Sequence, residues 1–180
     1  MSEIRHLKEE DIPVILSWYN WYIEHGTQSF ETSPLTIAQF SDRVHGIIQN
    51  YPYIVIEDHG ELCGYAYLDH FSSRAAYDWT ADLSIYLDPQ KKGKGYGSAL
   101  LKAILSLAEK DGYHSIVSVI TETNTDSIRF HESFGFIKMG TLPKVGYKFN
   151  QWLGVVYYMK TISEAKGTPA SLKNFDVSEL

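Results

Sequence analysis

The sequence predicts an α/β (α+β) chain folded around one mixed sheet. Three observations predict it. Apolar residues alternate with polar ones in several short runs, as half-buried strands require. Elsewhere they recur every three or four positions, as amphipathic helices require. The two patterns follow one another as strand, two helices, three strands, helix, strand, helix, two strands.

"EIRHL" is the first strand. Asp11, just before Pro13, starts a helix whose stripe is Ile12, Ile15, Leu16, Tyr19 and Ile23, and Gly26 ends it. "GTQSFETSP" is a loop. Thr36 opens a second helix carrying Ile37, Phe40, Val44, Ile47 and Ile48. "YPYIVIED" and "ELCGYAYLDHF" form a hairpin turning at His59-Gly60. "RAAYDWTADLSIYLD" holds the next strand, stopped by Asp88-Pro89. "GSALLKAILSLAEKDG" is the strongest helix, with Leu101, Ile104, Leu105 and Ala108 facing inward and Gly112 as its cap. "YHSIVSVITE" is a strand, "NTDSIRFHESFG" a short helix, and "FIKMGTLPKVGYKFNQ" and "WLGVVYYMKTI" are two closing strands. Residues 1–162 are expected to be one domain, and the polar stretch 163–180 a loose or docked tail.

Composition narrows the function. The chain has 180 residues, 44% of them hydrophobic and 21% charged, which fits a soluble globular protein. Its net charge of −6 argues against general binding of nucleic acid, so an anion site must be local. One cysteine, Cys63, permits no internal disulfide and favours a cytoplasmic setting. "MSEIRHLKEED" has no apolar signal region and no run reaches membrane-spanning length, so no membrane partner is expected. The seven histidines show no metal-ligand spacing.

An acidic chain nevertheless concentrates lysine and glycine in "KKGKGYGSALL", between a strand and the strongest helix. Gly93, Gly95 and Gly97 free the backbone to turn and to approach a ligand. A helix start adds unpaired N–H groups and partial positive charge, and Lys91, Lys92 and Lys94 add more. The stretch is either a tight turn with a helix cap or a cradle for phosphate. It is not a nucleotide P-loop, which ends Gly-Lys-Ser/Thr, nor a dinucleotide fingerprint, because Ser98 stands where the last glycine belongs.

This turn, with "YIEHGTQSFETSP", "RAAYDWTADLSIYL" and "NTDSIRFHESFGF", resembles the GNAT superfamily of acyl-CoA N-acyltransferases, and within it the phosphinothricin acetyltransferase subgroup. The resemblance runs from the first strand to about Ile162. Lys92 stands at the first position of the family's Gln/Arg-x-x-Gly-x-Gly/Ala loop. The resemblance implies a GNAT-like mixed, V-splayed sheet of about seven strands flanked by four helices. It implies acetyl-CoA between the fourth and fifth strands, and direct transfer to a primary amine. It implies cofactor contacts from the backbone of Leu83, Ser84, Ile85, Tyr86 and Leu87. Others are implied from the loop Lys92, Gly93, Lys94, Gly95, Tyr96, Gly97 and Ser98, and from Asn124 and Ser127. A homodimer is implied too.

Two side chains are candidates for proton transfer. Alternation in "DWTADLSIYL" sets Thr80, Asp82, Ser84 and Tyr86 on one face. A mid-strand aspartate is either solvated, ion-paired or in use. Asp82 occupies the subgroup's usual glutamate position, which implies a base for the protonated amine. An ordinary aspartate, with a pKa of about 3.9, needs a water relay or a raised pKa for that task. His131 is either a proton donor to the departing thiolate, as the resemblance implies, or a packed histidine on the stripe Ser127, Phe130, His131, Phe134. On the acceptor side the resemblance implicates Phe30, Arg74, Tyr77 and Thr80. Arg74 either pairs with a carboxylate or is a surface charge, and Phe30 either shapes the pocket or fills the core. Phe149 and Leu153 stand where phosphinothricin-acetylating relatives carry histidines, a departure that weighs against phosphinothricin itself and keeps open a small amino acid or analogue, such as a methionine sulfoximine or sulfone. Two other functions stay open: protein or peptide N-acetylation by the same fold, and a non-catalytic CoA-binding sensor or structural dimer.

Overall fold

The computed structural model describes residues 2–173. Seven strands form one sheet: β1 (Ser2–His6), β2 (Tyr53–Asp58), β3 (Glu61–His70), β4 (Thr80–Leu87), β5 (Ser115–Thr121), β6 (Ile137–Lys148) and β7 (Gln151–Thr161). Their spatial order is β1-β2-β3-β4-β5-β7-β6, antiparallel except for the β4–β5 pair. Four helices pack on it: α1 (Ile12–His25), α2 (Ile37–Ile48), α3 (Tyr96–Asp111) and α4 (Thr125–Ser133). The parallel pair is joined through α3, as a parallel connection requires.

Each face of the sheet has its own core. On one face α3 lays Leu100, Leu101, Ile104, Leu107 and Ala108 against Ile54, Ala66, Ala81 and Ile116. Leu107, rather than the expected Leu105, completes that buried stripe, while Leu105 packs at its margin. On the other face α1 and α2 cover Tyr53, Val55 and Tyr65 with Ile15, Trp18, Tyr19, Phe40 and Val44. Ile37 and Ile48, expected inside, are exposed at the two ends of α2. Thr36 caps α2, accepting from the Gln39 amide while the Gln39 side chain returns to the Thr36 amide.

Asp11 does precede α1, but its carboxylate does not cap that helix. It accepts two hydrogen bonds from the Arg5 guanidinium, at 2.7 and 2.9 Å, and one from the Lys8 amide. Arg5 also holds Glu57 on β2. The network pins the start of α1 to the β1–β2 edge. At the opposite end of the sheet, β6 is an edge strand, and Pro143 sits where its register with β7 shifts.

Residues 163–173 of the polar tail dock rather than hang free. The Ala170 carbonyl accepts from Trp79 Nε1 at 2.8 Å, Leu172 joins the α3-side core, and the Lys173 amide donates to the Asp111 carbonyl. The rest of the expected tail, 174–180, lies outside the described residues.

Candidate active site

The ladder between β4 and β5 has three rungs: Thr80 with Ser115, Ala81 with Ile116, and Asp82 with Val117. Both strands run on, β4 to Leu87 and β5 to Thr121, without pairing further with each other. One edge of β4 therefore leaves its hydrogen-bonding groups unused by the sheet, and such groups need partners. The gap is a cavity of about 300 Å³ walled by Leu83–Leu87 of β4 and Ser118–Thr121 of β5. Asn124, Asp126, Ser127, Phe130 and His131 of the α4 segment line it, with Tyr22, Gln28, Lys92 and Gly97 completing the lining.

The glycine-lysine turn begins α3 without any side-chain cap. Gly95, the residue before the helix, is left-handed at φ 84°, and Gly93 has φ 79°. No atom lies within 4 Å of where a Cβ would sit on either, so the backbone amides are approachable from outside. Gly97 has an ordinary helical conformation, and a Cβ there would meet Leu87 and Phe130 at 3.6 Å. The lysines divide. Lys91, expected to attract an anion, is instead committed to Glu61 at 2.9 Å and to the Leu62 carbonyl. Lys92 lies at the cavity, its Nζ 5.1 Å from the centre of the Tyr22 ring. Lys94 is exposed. Tyr96 turns its side chain away into the core, where its hydroxyl donates to Asp58, so only its backbone remains on the turn. Ser98, half-buried in the first turn of α3, is not part of the cavity lining. Leu87 lines the cavity, and its carbonyl also accepts from the Tyr22 hydroxyl at 2.9 Å.

Asp82 stands on the last rung before the two strands part, next to Leu83 of the cavity wall but not itself part of the lining. Its Oδ1 is buried with no hydrogen-bond partner. Burial, reinforced by the charge of Asp69 across the strand pair, pushes its carboxyl up to about 6, against the opposing pull of the Leu83 amide and His70. His131 is 3% exposed and lines the cavity. Its Nδ1 donates to the Ser127 carbonyl at 2.8 Å, which leaves Nε2 as an acceptor, buried and unpartnered. Burial lowers its pKa, and the Ser127 carbonyl opposes that only in part. The Ser118 hydroxyl, also on the cavity wall, is a third buried polar atom without a partner. Asn124 caps α4 through the Ser127 amide and faces the cavity as well.

The four acceptor-side candidates do not line this cavity. Phe30 packs where a Cβ on Gly146 of β6 would stand. Arg74 and Tyr77 are exposed on the loop before β4, Tyr77 lying edge-on to Phe71 at 5.5 Å. Thr80 is half-buried in the first rung of the ladder.

Sequence reasoning missed Tyr22, Ser118 and Lys148. Lys148 is 5% exposed and donates to the carbonyls of Gly26 and Ser29, tying the α1–α2 loop to the end of β6. A lysine in an alternating strand gives no sign of such burial; only the fold brings residue 26 beside it. Among the described residues, no group of three or more His, Cys, Asp or Glu side chains is placed to hold a metal ion. No helix among them is long and apolar enough to cross a membrane.

A parallel pair that splits halfway, beside the uncapped start of the intervening helix, is the arrangement of the GNAT acetyltransferases. The family model for the acetyltransferase (GNAT) domain matches residues 4–156, and the chain belongs to that family. It is similar to the phosphinothricin N-acetyltransferase of Streptomyces viridochromogenes, 34% identical over 88% of this chain and 86% of that one. It is also similar to the L-methionine sulfoximine/L-methionine sulfone acetyltransferase of Pseudomonas aeruginosa, 31% identical over 93% of this chain and 99% of that one. Among solved structures, a phosphinothricin acetyltransferase from Sinorhizobium meliloti in complex with AcCoA superimposes with a TM-score of 0.90, at 30% identity, over 94% of this chain and 93% of that one.

Proposed function

We propose that the protein is an acetyl-CoA-dependent N-acetyltransferase acting by direct transfer on the primary amine of a small amino-acid-like molecule. The observation that carries the reading is the position of Asp82: a buried carboxylate with a raised pKa, on the last rung before β4 leaves one strand edge free. In this reading the diphosphate rests on the amides of Gly93 to Gly97, assisted by Lys92. The pantetheine arm adds to β4 along Leu83 to Tyr86, with Asn124 and Ser127 on its other side.

The chemistry assigned to the chain's own residues is limited. The acceptor arrives as an ammonium, and Asp82 takes one proton to free the nitrogen lone pair. A carboxyl near 6 is mostly ionised at pH 7 yet basic enough for that task. A β4 amide beside Asp82 donates to the thioester oxygen as negative charge grows there. Of the two roles weighed from the sequence, proton donor or packed histidine, the bond to the Ser127 carbonyl favours the second, and His131, neutral with its Nε2 free, offers the groove a hydrogen-bond acceptor.

The exposed apolar row Ile137, Met139, Val145, Tyr147 and Trp152 on β6–β7 supports homodimer assembly through that edge. The single buried Cys63 supports work in the reducing cytoplasm.

The test is free-thiol release from acetyl-CoA across a panel of methionine sulfone, methionine sulfoximine, phosphinothricin and a peptide N-terminus. Turnover with the small amino acids, lost roughly 10²-fold or more in Asp82→Ala, is the expected result. Turnover confined to the peptide, or CoA binding without release, would contradict the reading.

A further inference from the structure

Asp69 on β3 is the register partner of Asp82. Partners in an antiparallel pair share a face, with Cβ atoms about 4.5–5.5 Å apart. Two carboxylates directly opposite repel, so such a pair needs either a reason or a compensating cation. Compensation here is local and one-sided. Asp69 Oδ1 accepts from the backbone amide of His70 and pairs with its Nδ1, both at 2.7 Å. Asp82 receives no comparable partner at its buried Oδ1.

The other charged groups near this face lie toward Asp69. Asp42 and Arg43 of α2, with Tyr51, border the same surface groove as Asp69 and His70. Arg43 is itself paired with Glu31. Asp78, on the loop before β4, joins Asp69 in acting on Tyr51. On β4 the same-face neighbours of Asp82 are the uncharged Thr80 and Ser84, and its β5 partner is Val117. Asp69 and His70 are thus the charged groups that act on Asp82, one raising and the other lowering its proton affinity.

We propose that Asp69, clamped by His70, is a positioning residue: its charge, facing Asp82 across the β3–β4 ladder, adds to the effect of burial and strengthens a short carboxylate as the acceptor's base. The proposal rests on the reading of Asp82 as the base. Asp69 itself takes no proton in the reaction. It acts through the field across one strand spacing, and His70 fixes where its charge sits. Neutralising Asp69 then leaves burial alone to raise Asp82, which becomes a weaker base, while removing the imidazole leaves Asp69 unopposed.

Carboxyl ¹³C NMR of the full chain, labelled at aspartate and titrated from pH 3 to 9, reads Asp82 without any acceptor. Asp82→Asn identifies its signal. Asp69→Asn is expected to move that titration down by about one pH unit, the scale of a like charge at this distance. Asp69→Glu is expected to retain most of the wild-type value, and His70→Gln to move it upward. An Asp82 titration unchanged in both Asp69→Asn and His70→Gln overturns the proposal. The base reading is tested separately, by thiol release with methionine sulfone. There the acidic limb of kcat/KM should move with Asp69→Asn by the same amount. Full turnover in Asp82→Asn sinks the base reading and the catalytic role of Asp69 with it. A lost turnover in Asp82→Asn with an unmoved limb in Asp69→Asn sinks only the role of Asp69.

Discussion

Asp82 and Val117 form the last rung of the parallel ladder, and beyond them β4 and β5 go separate ways. The position matters because it brings together two things a strand normally keeps apart. One is a row of unpaired backbone groups; the other is a buried carboxylate. Each is unfavourable in isolation, and each is the kind of feature that persists at sites of function.

The turn before α3 can be tested apart from the rest of the site. Gly95→Ala places a methyl in open space, so the fold should lose only the roughly 1 kcal/mol of left-handed strain. The same methyl should crowd a diphosphate on the amides. Calorimetry should show CoA affinity reduced tenfold or more while urea unfolding shows the small loss. Equal, small effects on both would separate this turn from CoA binding.

Asp82 should also weaken the fold. Its carboxyl titrates near 6 in the folded chain and near 3.8 when unfolded, so the folded state holds the proton more tightly. The penalty is absent below about 3.8, grows as pH rises toward 6, and is complete above it. Asp82→Asn should therefore be more stable than wild type at pH 8, on the order of 2–3 kcal/mol, as two pH units imply. The gain should shrink by pH 4.5. Urea unfolding at the two pH values measures it.

Arg5, Asp11 and Glu57 should show the opposite sign. Burial works to raise the Asp11 carboxyl, but the Arg5 guanidinium and the Lys8 amide outweigh it and hold the group below its ordinary value. The stability it contributes is present above pH 3.8 and fades as pH falls through the lower folded value. Asp11→Ala leaves Arg5 short of a partner and should cost about 3 kcal/mol at pH 7. Thermal unfolding of the variant and wild type at pH 7 and pH 3 should show the difference narrowing in acid.

His131 should remain neutral at pH values where an ordinary histidine is half charged. Ring ¹⁵N chemical shifts, followed from pH 8 to 5, should show Nδ1 protonated, Nε2 bare, and a midpoint below 6.5. A midpoint at or above 6.5 would restore the proton-donor role.

Apolar runs and turn signals carried all seven strands and four helices, although β2 and β5 bury both faces and β6 buries almost none. Thr36 and Gly112 announced their helix ends through capping chemistry that is local in sequence. What escaped was non-local. Lys91 looked like a free cation until the β3 start brought Glu61 beside it. Tyr96 looked like part of the turn until the first helical residue proved to face β2. Asp69 gave no signal at all, since its meaning depends on which residue of β4 lies opposite.

A crystal structure with acetyl-CoA tests the central claim most directly. The account predicts diphosphate oxygens within hydrogen-bonding distance of the amides from Gly93 to Gly97. It also predicts the pantetheine chain beside Leu83 to Tyr86 and the thioester carbon next to Asp82. Coenzyme bound elsewhere, or β4 and β5 closed into a continuous ladder beyond Val117, would contradict it.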